Sequence, residues 1–341
     1  MKPGKDDHAP ESVKKSDRFV HDSAPVLIVA GPTASGKSGL AIAAAQAFNG
    51  VIVNADSMQV YRELKVLTAR PRPGTEALAP HRLYGVMSVR ESCSAGRWCR
   101  LALNEIGAAH ATGKLPIVTG GTGLYLKALV DGIAELPEIP PALRARAREL
   151  FDELGPVEFR AALAARHASA EVRPLPRDRQ RLIRAWEVLE ATGRSLADWQ
   201  GATPDARPTH LRFAAVRLDP PREALYEAIE HRLDRMIEEG AVDEVKALLA
   251  MKLDPQMPAL KAVGIAELAE YLEGRTSLEE ALANAKQSTR RLAKRQNTWF
   301  RHQPLADRVL SIDEPAFAQF SESFKDRIFN FIRRSLLTES N

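Results

Sequence analysis

The sequence has few cysteines and no long apolar run, and each absence excludes a class of protein. Cys93 and Cys99 are the only cysteines in 341 residues, which is too few for a disulfide framework, and no second pair or histidine cluster near them suggests a zinc site. No run of about eighteen apolar residues occurs, and the N-terminal region lacks the apolar stretch of a signal peptide. We therefore expect free thiols and a cytoplasmic protein without a membrane segment.

Aromatic residues and excess charge are also modest. Aromatic residues make up 6% of the chain and the net charge is +4, with a pI near 9.1, values that an ordinary enzyme can have as readily as a nucleic-acid-binding protein. Hydrophobic residues make up 45% of the chain, enough to fill one large domain with an insertion, or two domains. The distribution of positive charge along the chain is therefore more informative than its total.

Short β-branched runs alternate with helical segments in the first part of the chain. These runs, together with one later run, are predicted to be buried strands at Val26–Val29, Val51–Val53, Leu115–Val118 and Leu211–Leu218. Strands that alternate with helices predict an α/β fold with a parallel sheet. The binding crevice of such a sheet lies beyond the carboxyl ends of its strands.

A complete phosphate-binding motif lies between the first predicted strand and a helix predicted over Lys37–Phe48. It matches the pattern G-x-x-x-x-G-K-[ST] without a gap. Backbone N–H groups and the helix N-terminus surround phosphate oxygens, Lys37 adds a positive charge, and the Ser38 hydroxyl can ligate Mg²⁺. The motif recognises the geometry of phosphate groups, so it does not show whether the ligand is a nucleotide triphosphate or another diphosphate. It consists of Gly31, Pro32, Thr33, Ala34, Ser35, Gly36, Lys37 and Ser38.

Changes in composition predict how the chain is divided. The first residues mix charges of both signs with few large apolar side chains, which predicts a disordered tail. Helical segments rich in Ala, Leu and Arg follow residue 136, and no buried strand is predicted again before Leu211. We predict a P-loop parallel sheet domain with a helical insertion domain. The expected boundaries are a tail over 1–24, a discontinuous core over 25–136 and 210–320, the insertion over 137–209, and a C-terminal tail over 321–341.

Asp56 is a candidate for chemistry at the carboxyl edge of the sheet. Asp56 ends the second strand, so its carboxylate should emerge beside the phosphate-binding loop, although an aspartate there can also cap a following helix. Thr122 lies in a glycine turn after the third strand, and Arg232 lies on a helix predicted over Arg222–Gly240. By themselves, the turn can be a tight connection and the arginine a solvated helix residue.

Five segments together resemble one family. They occur in the same order as in the tRNA dimethylallyltransferases, the bacterial tRNA isopentenyltransferase family, and the likeness covers about residues 25–303. One segment departs from the family pattern: Glu63–Pro71 stands where the family usually reads Gly-Met-Asp-Ile-Gly-Thr-Ala-Lys-Pro. The matching segments are Gly31–Ser38, Asp56–Tyr61, Pro80–Leu83, Gly120–Tyr125 and Lys294–Gln296.

The resemblance implies a reaction and a role for each candidate. The phosphate-binding loop is expected to hold the diphosphate of dimethylallyl diphosphate with Mg²⁺ on Ser38, while the N6 amine of an anticodon-loop adenine attacks the prenyl carbon. Asp56 is then the general base. Thr122 and Arg232 match family positions close to the reacting groups. The partners implied are the tRNA anticodon stem-loop and dimethylallyl diphosphate, and we expect a monomer.

Positive charge is concentrated on one helix. Lys286, Arg290 and Lys294 recur every four residues, as do Arg291 and Arg295, so the charges form adjacent rows. A basic helix is often only a solvated face, and a tryptophan beside it is often a core residue. The resemblance implies tRNA contact by Asp56, Ser57, Met58, Gln59, Gln180, Arg181, Leu182, Ile183, Arg184, Lys294, Arg295, Gln296, Thr298 and Trp299.

Two other functions remain open at this point. A P-loop small-molecule kinase would hold ATP in the loop, use Asp56 to bind the acceptor hydroxyl and use the insertion as a lid. A non-catalytic RNA-binding or nucleotide-switch module would need Asp56 only for structure. The coupled Asp-Ser-Met-Gln and Lys-Arg-Gln segments favour prenyl transfer over both alternatives.

Overall fold

The computed structural model describes residues 23–133, 136, 139–166, 178–201, 207–303, 305–314 and 321–337. Nearly all of the tail predicted over 1–24 therefore lies outside the described residues. The centre of the described part is a six-stranded sheet in which every pairing is parallel. Its strands are β1 (Ala24–Ala30), β2 (Gly50–Asn54), β3 (His81–Arg82), β4 (Leu115–Gly120), β5 (Leu211–Leu218) and β6 (Arg308–Ile312).

The strand order is β3-β2-β4-β1-β5-β6. The four predicted strands are confirmed as β1, β2, β4 and β5, because each is an apolar run that is buried between two layers of helices. The two edge strands were not predicted. β3 has two residues and β6 is mostly exposed, so neither carries the apolar pattern of a buried strand.

Helices cover both faces of the sheet. The helices of the described residues, including those that do not lie on the sheet, are in chain order α1 (Lys37–Ala47), α2 (Pro73–Glu76), α3 (Ala95–Ala111), α4 (Gly123–Asp131), α5 (Pro141–Arg166), α6 (Arg179–Thr192), α7 (Leu196–Gly201), α8 (Arg222–Glu238), α9 (Ala241–Ala250), α10 (Ile265–Leu272), α11 (Leu278–His302) and α12 (Glu322–Ile332). Among the described residues, no helix combines the length and the apolar character needed to cross a bilayer. The long α5 is kinked at Gly155, whose φ is 75° and which precedes Pro156.

Alternate residues of β1 point to two separate cores, as the strand period requires. Val26 and Ile28 join the larger core, which also contains buried residues of α3, α4 and α8–α11. Leu27 and Val29 join the smaller core with buried residues of α1 and α12. The site described below therefore stands on a sheet that is fixed from both sides.

The C-terminal segment corrects one prediction. A tail was expected over 321–341, but α12 forms there and its side chains Phe324, Ile328 and Ile332 are buried against the sheet. These apolar residues recur at spacings of four, which is the pattern of a helix with one buried face. The segment is thus part of the fold up to Leu337, and residues 338–341 lie outside the described residues.

The helices between β4 and β5 have a small core of their own. Phe151 and Phe159 of α5 pack against each other with tilted rings, and Phe159 also packs on Trp186 of α6, with ring centroids 5.1 Å apart in both pairs. Leu182 and Ile183 are buried in this cluster. Separate packing of α5 and α6 supports an insertion in this region, whereas its predicted limits at 137 and 209 stay a prediction.

Gly120 is a position where the fold requires the absence of a side chain. A β-carbon at Gly120 would overlap the backbone carbonyl of Ala55. We expect Gly120→Ala to lower the free energy of unfolding by about 1–3 kcal/mol through overpacking. Gly107→Ala, on α3 where an added β-carbon meets nothing within 4 Å, should raise it by about 0.5–1 kcal/mol. Urea denaturation of both variants measures the difference, and equal effects would contradict the overlap at Gly120.

Candidate active site

The phosphate-binding loop follows β1 at the carboxyl edge of the sheet. Two of its residues have left-handed backbone, Ala34 with φ 63° and Gly36 with φ 87°, and α1 begins at Lys37. A β-carbon on Gly31 would lie 2.8 Å from the carbonyl oxygen of Leu218, so the loop passes directly over the end of β5. A glycine-containing loop that ends at a helix N-terminus is a backbone arrangement that binds anions in other proteins.

Lys37 brings a positive charge to the loop. Its Nζ donates a hydrogen bond to the carbonyl oxygen of Pro32 at 2.8 Å. Burial lowers the pKa of Lys37 to about 8, and the charge of Asp56 opposes this shift while that of Arg232 adds to it. The charges of Lys37, Asp56 and Arg232 therefore lie close enough to act on one another.

Asp56 is held in a defined orientation immediately after β2. The buried Asn54 accepts a hydrogen bond from the Asp56 N–H at 2.8 Å and donates one to the Asp56 carbonyl oxygen at 3.0 Å. One carboxylate oxygen of Asp56 accepts a hydrogen bond from the Met58 N–H at 2.9 Å. Within the described part of the chain, no group donates to the second carboxylate oxygen. Asp56 therefore stabilises its own turn and still has an oxygen that can accept a proton.

Thr122 connects the Asp56 loop to the glycine turn. Its hydroxyl oxygen accepts a hydrogen bond from the Ser57 N–H at 2.9 Å and lies 3.2 Å from the Ser57 hydroxyl. Its N–H donates to the carbonyl oxygen of Ala55 at 3.2 Å. The structure thus brings Thr122 and Asp56 together, and the position of Asp56 depends on these bonds.

Arg232 reaches the site from α8. Its guanidinium donates to the carbonyl oxygen of Thr68 at 3.4 Å, and Gln59 Nε2 donates to the same oxygen at 2.7 Å. Burial lowers the pKa of Arg232 and Asp56 opposes the shift; arginine keeps its positive charge regardless. Thr68 was not predicted as a site residue, since nothing in its sequence surroundings marks a carbonyl oxygen as important.

Two buried tyrosines near Asp56 were not among the residues predicted for the site. Burial raises the pKa of Tyr84, and the negative charges of Asp56 and Glu76 raise it further. Burial likewise raises the pKa of Tyr125, whose hydroxyl donates to the Cys93 carbonyl oxygen at 3.0 Å. Both hydroxyls are neutral at physiological pH. Burial also raises the pKa of the Cys93 thiol, as is typical of a free thiol without special reactivity.

Gln296 joins the phosphate-binding loop to the glycine turn. Its side-chain oxygen accepts from the Thr33 N–H at 2.8 Å, and its side-chain nitrogen donates to the Gly121 carbonyl oxygen at 2.9 Å. A β-carbon on Gly121 would overlap this side chain. Both ends of the Gln296 amide are used within the protein, so its predicted tRNA contact stays a prediction beside this observed bracing role.

Trp299 packs against the same turn. A β-carbon on Gly123 would overlap the indole ring, and the ring also meets Phe300 edge-on at a centroid distance of 5.2 Å. Part of the indole remains exposed. Trp299 therefore packs within the protein, as the alternative to RNA contact proposed. Stacking of its exposed part on a base stays a prediction.

The basic rows of α11 are divided by pairing. Lys286 binds Asp234 at 2.6 Å and Arg290 binds Glu230 at 2.8 Å, both on α8. Arg291, Lys294 and Arg295 are exposed, and no acidic side chain of the described residues lies within ion-pair distance of them. Thr298 is exposed on the next turn. The free positive surface of α11 thus lies at the end near the phosphate-binding loop.

The predicted tRNA segment of α6 has a buried and an exposed face. Gln180 and Arg181 are exposed, and Arg184 binds Glu187 at 3.1 Å. Leu182 and Ile183 are 1% and 8% exposed, because they form the core between α5 and α6. The side chains of these two residues are therefore not available to tRNA, and the contact predicted for them could involve only their main-chain atoms.

The described residues contain no cluster that could hold a metal ion by itself, since no group of at least three His, Cys, Asp or Glu side chains has a suitable arrangement. Ser38 is exposed on the first turn of α1. Mg²⁺ commonly keeps several waters and binds through one or two protein oxygens together with substrate phosphates. The hydroxyl beside the phosphate-binding loop fits such a shared site.

Comparisons with known proteins show the family of this chain. A model of the family described as IPP transferase matches residues 59–303, and a model described as isopentenyl transferase matches residues 24–88. The protein belongs to the IPP transferase family. A tRNA dimethylallyltransferase of Rhodospirillum rubrum is 51% identical over 93% of this chain and 96% of its own length. One of Paramagnetospirillum magneticum is 50% identical, over 93% and 98% respectively.

Solved structures of the family share the fold. The full-length tRNA isopentenylpyrophosphate transferase of Bacillus halodurans is 30% identical, with a TM-score of 0.65 over 92% of this chain and 97% of that one. A eukaryotic dimethylallyltransferase captured acting on tRNA is 26% identical, with a TM-score of 0.73 over 90% and 80%. The predicted α/β fold with a parallel sheet and the predicted family are thus confirmed, while the roles of individual residues stay predictions.

The lowered pKa of Lys37 gives a pH prediction for anion binding. In the free protein Lys37 is charged below about pH 8 and loses its proton as the pH rises through that value. A bound diphosphate favours the charged form, so affinity should be constant below the free pKa and fall above it, by at most about tenfold per pH unit. Calorimetric titration with dimethylallyl diphosphate at pH values from about 6.5 to about 9.5, on both sides of this pKa, measures the change in affinity. Lys37→Ala should bind weakly with no such pH dependence; an equal dependence in that variant would assign it to another group.

Proposed function

We propose that this protein transfers the dimethylallyl group from dimethylallyl diphosphate to N6 of adenine 37, next to the anticodon of tRNAs, and releases diphosphate. The observation that carries this proposal is that the phosphate-binding loop after β1 and Asp56 after β2 follow strands of one parallel sheet that end at the same edge. The charge of Asp56 acts on both Lys37 and Arg232, and two cations with one carboxylate suit an anionic leaving group and a proton acceptor. The names of the relatives support it, since they are tRNA dimethylallyltransferases.

The leaving group sets the larger demand of this reaction. As the allylic C–O bond breaks, its electron pair goes to the diphosphate oxygen and positive charge develops on the prenyl carbon. Fixed donors that face the developing negative charge stabilise the transition state. The backbone amides of the phosphate-binding loop and the charges of Lys37 and Arg232 supply such donors.

Mg²⁺ is the proposed cofactor, and the Ser38 hydroxyl would hold it together with the substrate. When bound, it would neutralise negative charge on the diphosphate. The chain's own part is to present the Ser38 oxygen at the start of α1, on a loop whose course over Leu218 is fixed by close packing.

Asp56 is the proposed general base. The exocyclic amine of adenine shares its lone pair with the ring, and its proton becomes acidic only as the new C–N bond forms. The carboxylate oxygen without a donor in the described residues then takes that proton, while the other oxygen keeps its hydrogen bond from Met58. Thr122 maintains the geometry by holding Ser57.

The proposed tRNA contacts follow the exposed positive surfaces. Arg291, Lys294 and Arg295 on α11, and Arg181 on α6, are exposed and can neutralise phosphates of a stem-loop. The target base must leave its stack to reach Asp56. A loop of RNA is suited to this, because its bases are unpaired.

The activity is tested by incubating the protein with unmodified tRNA, Mg²⁺ and dimethylallyl diphosphate, then digesting the tRNA and analysing its nucleosides by mass spectrometry. We expect N6-dimethylallyladenosine, together with an equal amount of diphosphate, and a nuclease fragment that contains position 37 should carry the added mass. ATP replaces dimethylallyl diphosphate in the control. Phosphorylated product with ATP and no prenylated adenosine would instead favour the kinase alternative.

Removal of the proposed base should affect chemistry more than binding. We expect Asp56→Asn to reduce the single-turnover rate by about 10²–10⁴-fold, with tRNA affinity within about threefold of wild type. Rapid-quench kinetics and filter binding measure the two quantities. Normal chemistry together with a collapse of tRNA affinity would make Asp56 a binding residue.

Because some basic residues of α11 have acidic partners and others do not, two variants of the protein can be compared for RNA binding. The triple variant of Arg291, Lys294 and Arg295 to alanine should weaken tRNA binding and flatten the plot of log K against log salt, by about 0.7–0.9 for each phosphate that is no longer neutralised. The double variant of Lys286 and Arg290 removes charges already paired with Asp234 and Glu230, so its salt slope should stay close to that of wild type. If both variants had the same slope of log K against log salt, this end of α11 would not be part of the RNA interface.

A further inference from the structure

The loop that departs from the family pattern is held by one carboxylate. Glu244, near the start of α9, accepts hydrogen bonds from three successive backbone amides. Its Oε2 accepts from Lys65 at 2.7 Å and Val66 at 2.9 Å, and its Oε1 accepts from Leu67 at 3.0 Å. These partners are 177 to 179 positions away in the chain, so the contact exists only in the folded protein.

Three bonds to an ionised acceptor fix the loop strongly. Hydrogen bonds to a carboxylate are roughly twice as strong as those between neutral groups. Three consecutive N–H groups directed at one side chain leave the peptide planes between them little freedom to rotate. The loop residues that follow Leu67 therefore have a defined starting point.

The next residue carries the contact with the active site. The Thr68 hydroxyl donates to the Leu64 carbonyl oxygen at 2.9 Å and is buried. The Thr68 carbonyl oxygen accepts from Gln59 at 2.7 Å and from Arg232 at 3.4 Å. The Glu244 contacts end one residue before this oxygen, which makes its position depend on the hold that Glu244 has on the loop.

We propose that Glu244 is a positioning residue, which fixes the loop over 65–67 and through the Thr68 carbonyl orients the Arg232 guanidinium toward the leaving group. This proposal rests on the proposed function. Arg232 donates to this loop at 3.4 Å, so a small displacement of the carbonyl oxygen breaks the hydrogen bond that holds the guanidinium to the loop. The Glu244 carboxylate is engaged by the loop amides, and its effect on the reaction is indirect.

The chain offers matched variants for a test. In Glu244→Gln the side chain keeps one acceptor oxygen, but its new NH₂ group faces an N–H donor, so at least one of the three bonds cannot form. Glu244→Asp keeps both acceptor oxygens on a shorter stem. Asp243→Asn removes the same charge from the neighbouring residue, which is exposed, whereas the acceptor of the three loop amides is Glu244.

The first measurement is the single-turnover rate of prenyl transfer at saturating tRNA and dimethylallyl diphosphate. We expect Glu244→Gln to lower the rate about tenfold to a hundredfold, the cost of a misplaced group of the order of 1 Å. Glu244→Asp should have a smaller effect, and Asp243→Asn should match wild type. A Glu244→Gln rate equal to that of Asp243→Asn would overturn the proposal, and if Glu244→Gln did not fold, an unchanged rate in Glu244→Asp would do the same.

A double-mutant cycle tests whether the effect passes through Arg232. If Glu244 acts by orienting that guanidinium, Glu244→Gln should cause little further reduction of the rate in an Arg232→Ala background, because the group to be oriented is gone. The same fold-reduction in both backgrounds would mean that Glu244 acts by another route, and the proposal would be wrong. A purely structural role predicts that second result.

Hydrogen exchange of the full-length protein provides a readout independent of activity. The amides of Lys65, Val66 and Leu67 should exchange faster in Glu244→Gln than in wild type or Asp243→Asn, and unchanged exchange would show that the loop does not depend on Glu244. A wild-type protein that transferred no prenyl group would count against the proposed function. An active wild type with a fully active Glu244→Gln variant counts against Glu244 alone.

Discussion

The site depends on the close approach of the main chain after β2 and β4. Gly120 allows its strand to touch the carbonyl group of Ala55, and the Thr122 N–H then bonds to the Ala55 oxygen at 3.2 Å. Two parallel strands that end at one edge bring their loops near each other, but only a residue without a β-carbon lets the backbones meet. Through this contact the turn that holds Thr122 and the turn that holds Asp56 form one rigid unit.

Charge in a partly buried place explains how this unit can favour an anionic substrate. Burial lowers the pKa of Lys37 and of Arg232, and Asp56 opposes both shifts. Two cations against one carboxylate leave an excess of positive charge where solvent is partly excluded and electrostatic interactions are stronger than in water. A diphosphate would balance that excess. The carboxylate of Asp56 therefore serves the free protein as a counter-ion as well as serving the proposed reaction as a base.

Sequence reasoning succeeded where a local pattern reports a local structure. The strands β1, β2, β4 and β5, the phosphate-binding loop and the edge position of Asp56 all follow from runs and turns of a few residues. It failed for β6, whose residues are mostly exposed, and for α12, which was expected to be a tail although its apolar spacing is that of a packed helix. It also treated Lys286 and Arg290 as equal to Lys294, since a charge row does not reveal which members have acidic partners on another helix.

The sequence by itself determined the fold class, the family and the phosphate-binding motif, because these depend on short-range periodicity and on motifs of adjacent residues. Only the tertiary structure decided that Gln296 braces Thr33 across 263 positions, that Trp299 lies on Gly123 and that Leu182 is a core residue. It alone placed the Glu244 carboxylate on the loop before Thr68. Each of these contacts joins distant segments through backbone groups or unremarkable side chains, and such groups carry no mark of their partners until the chain is folded.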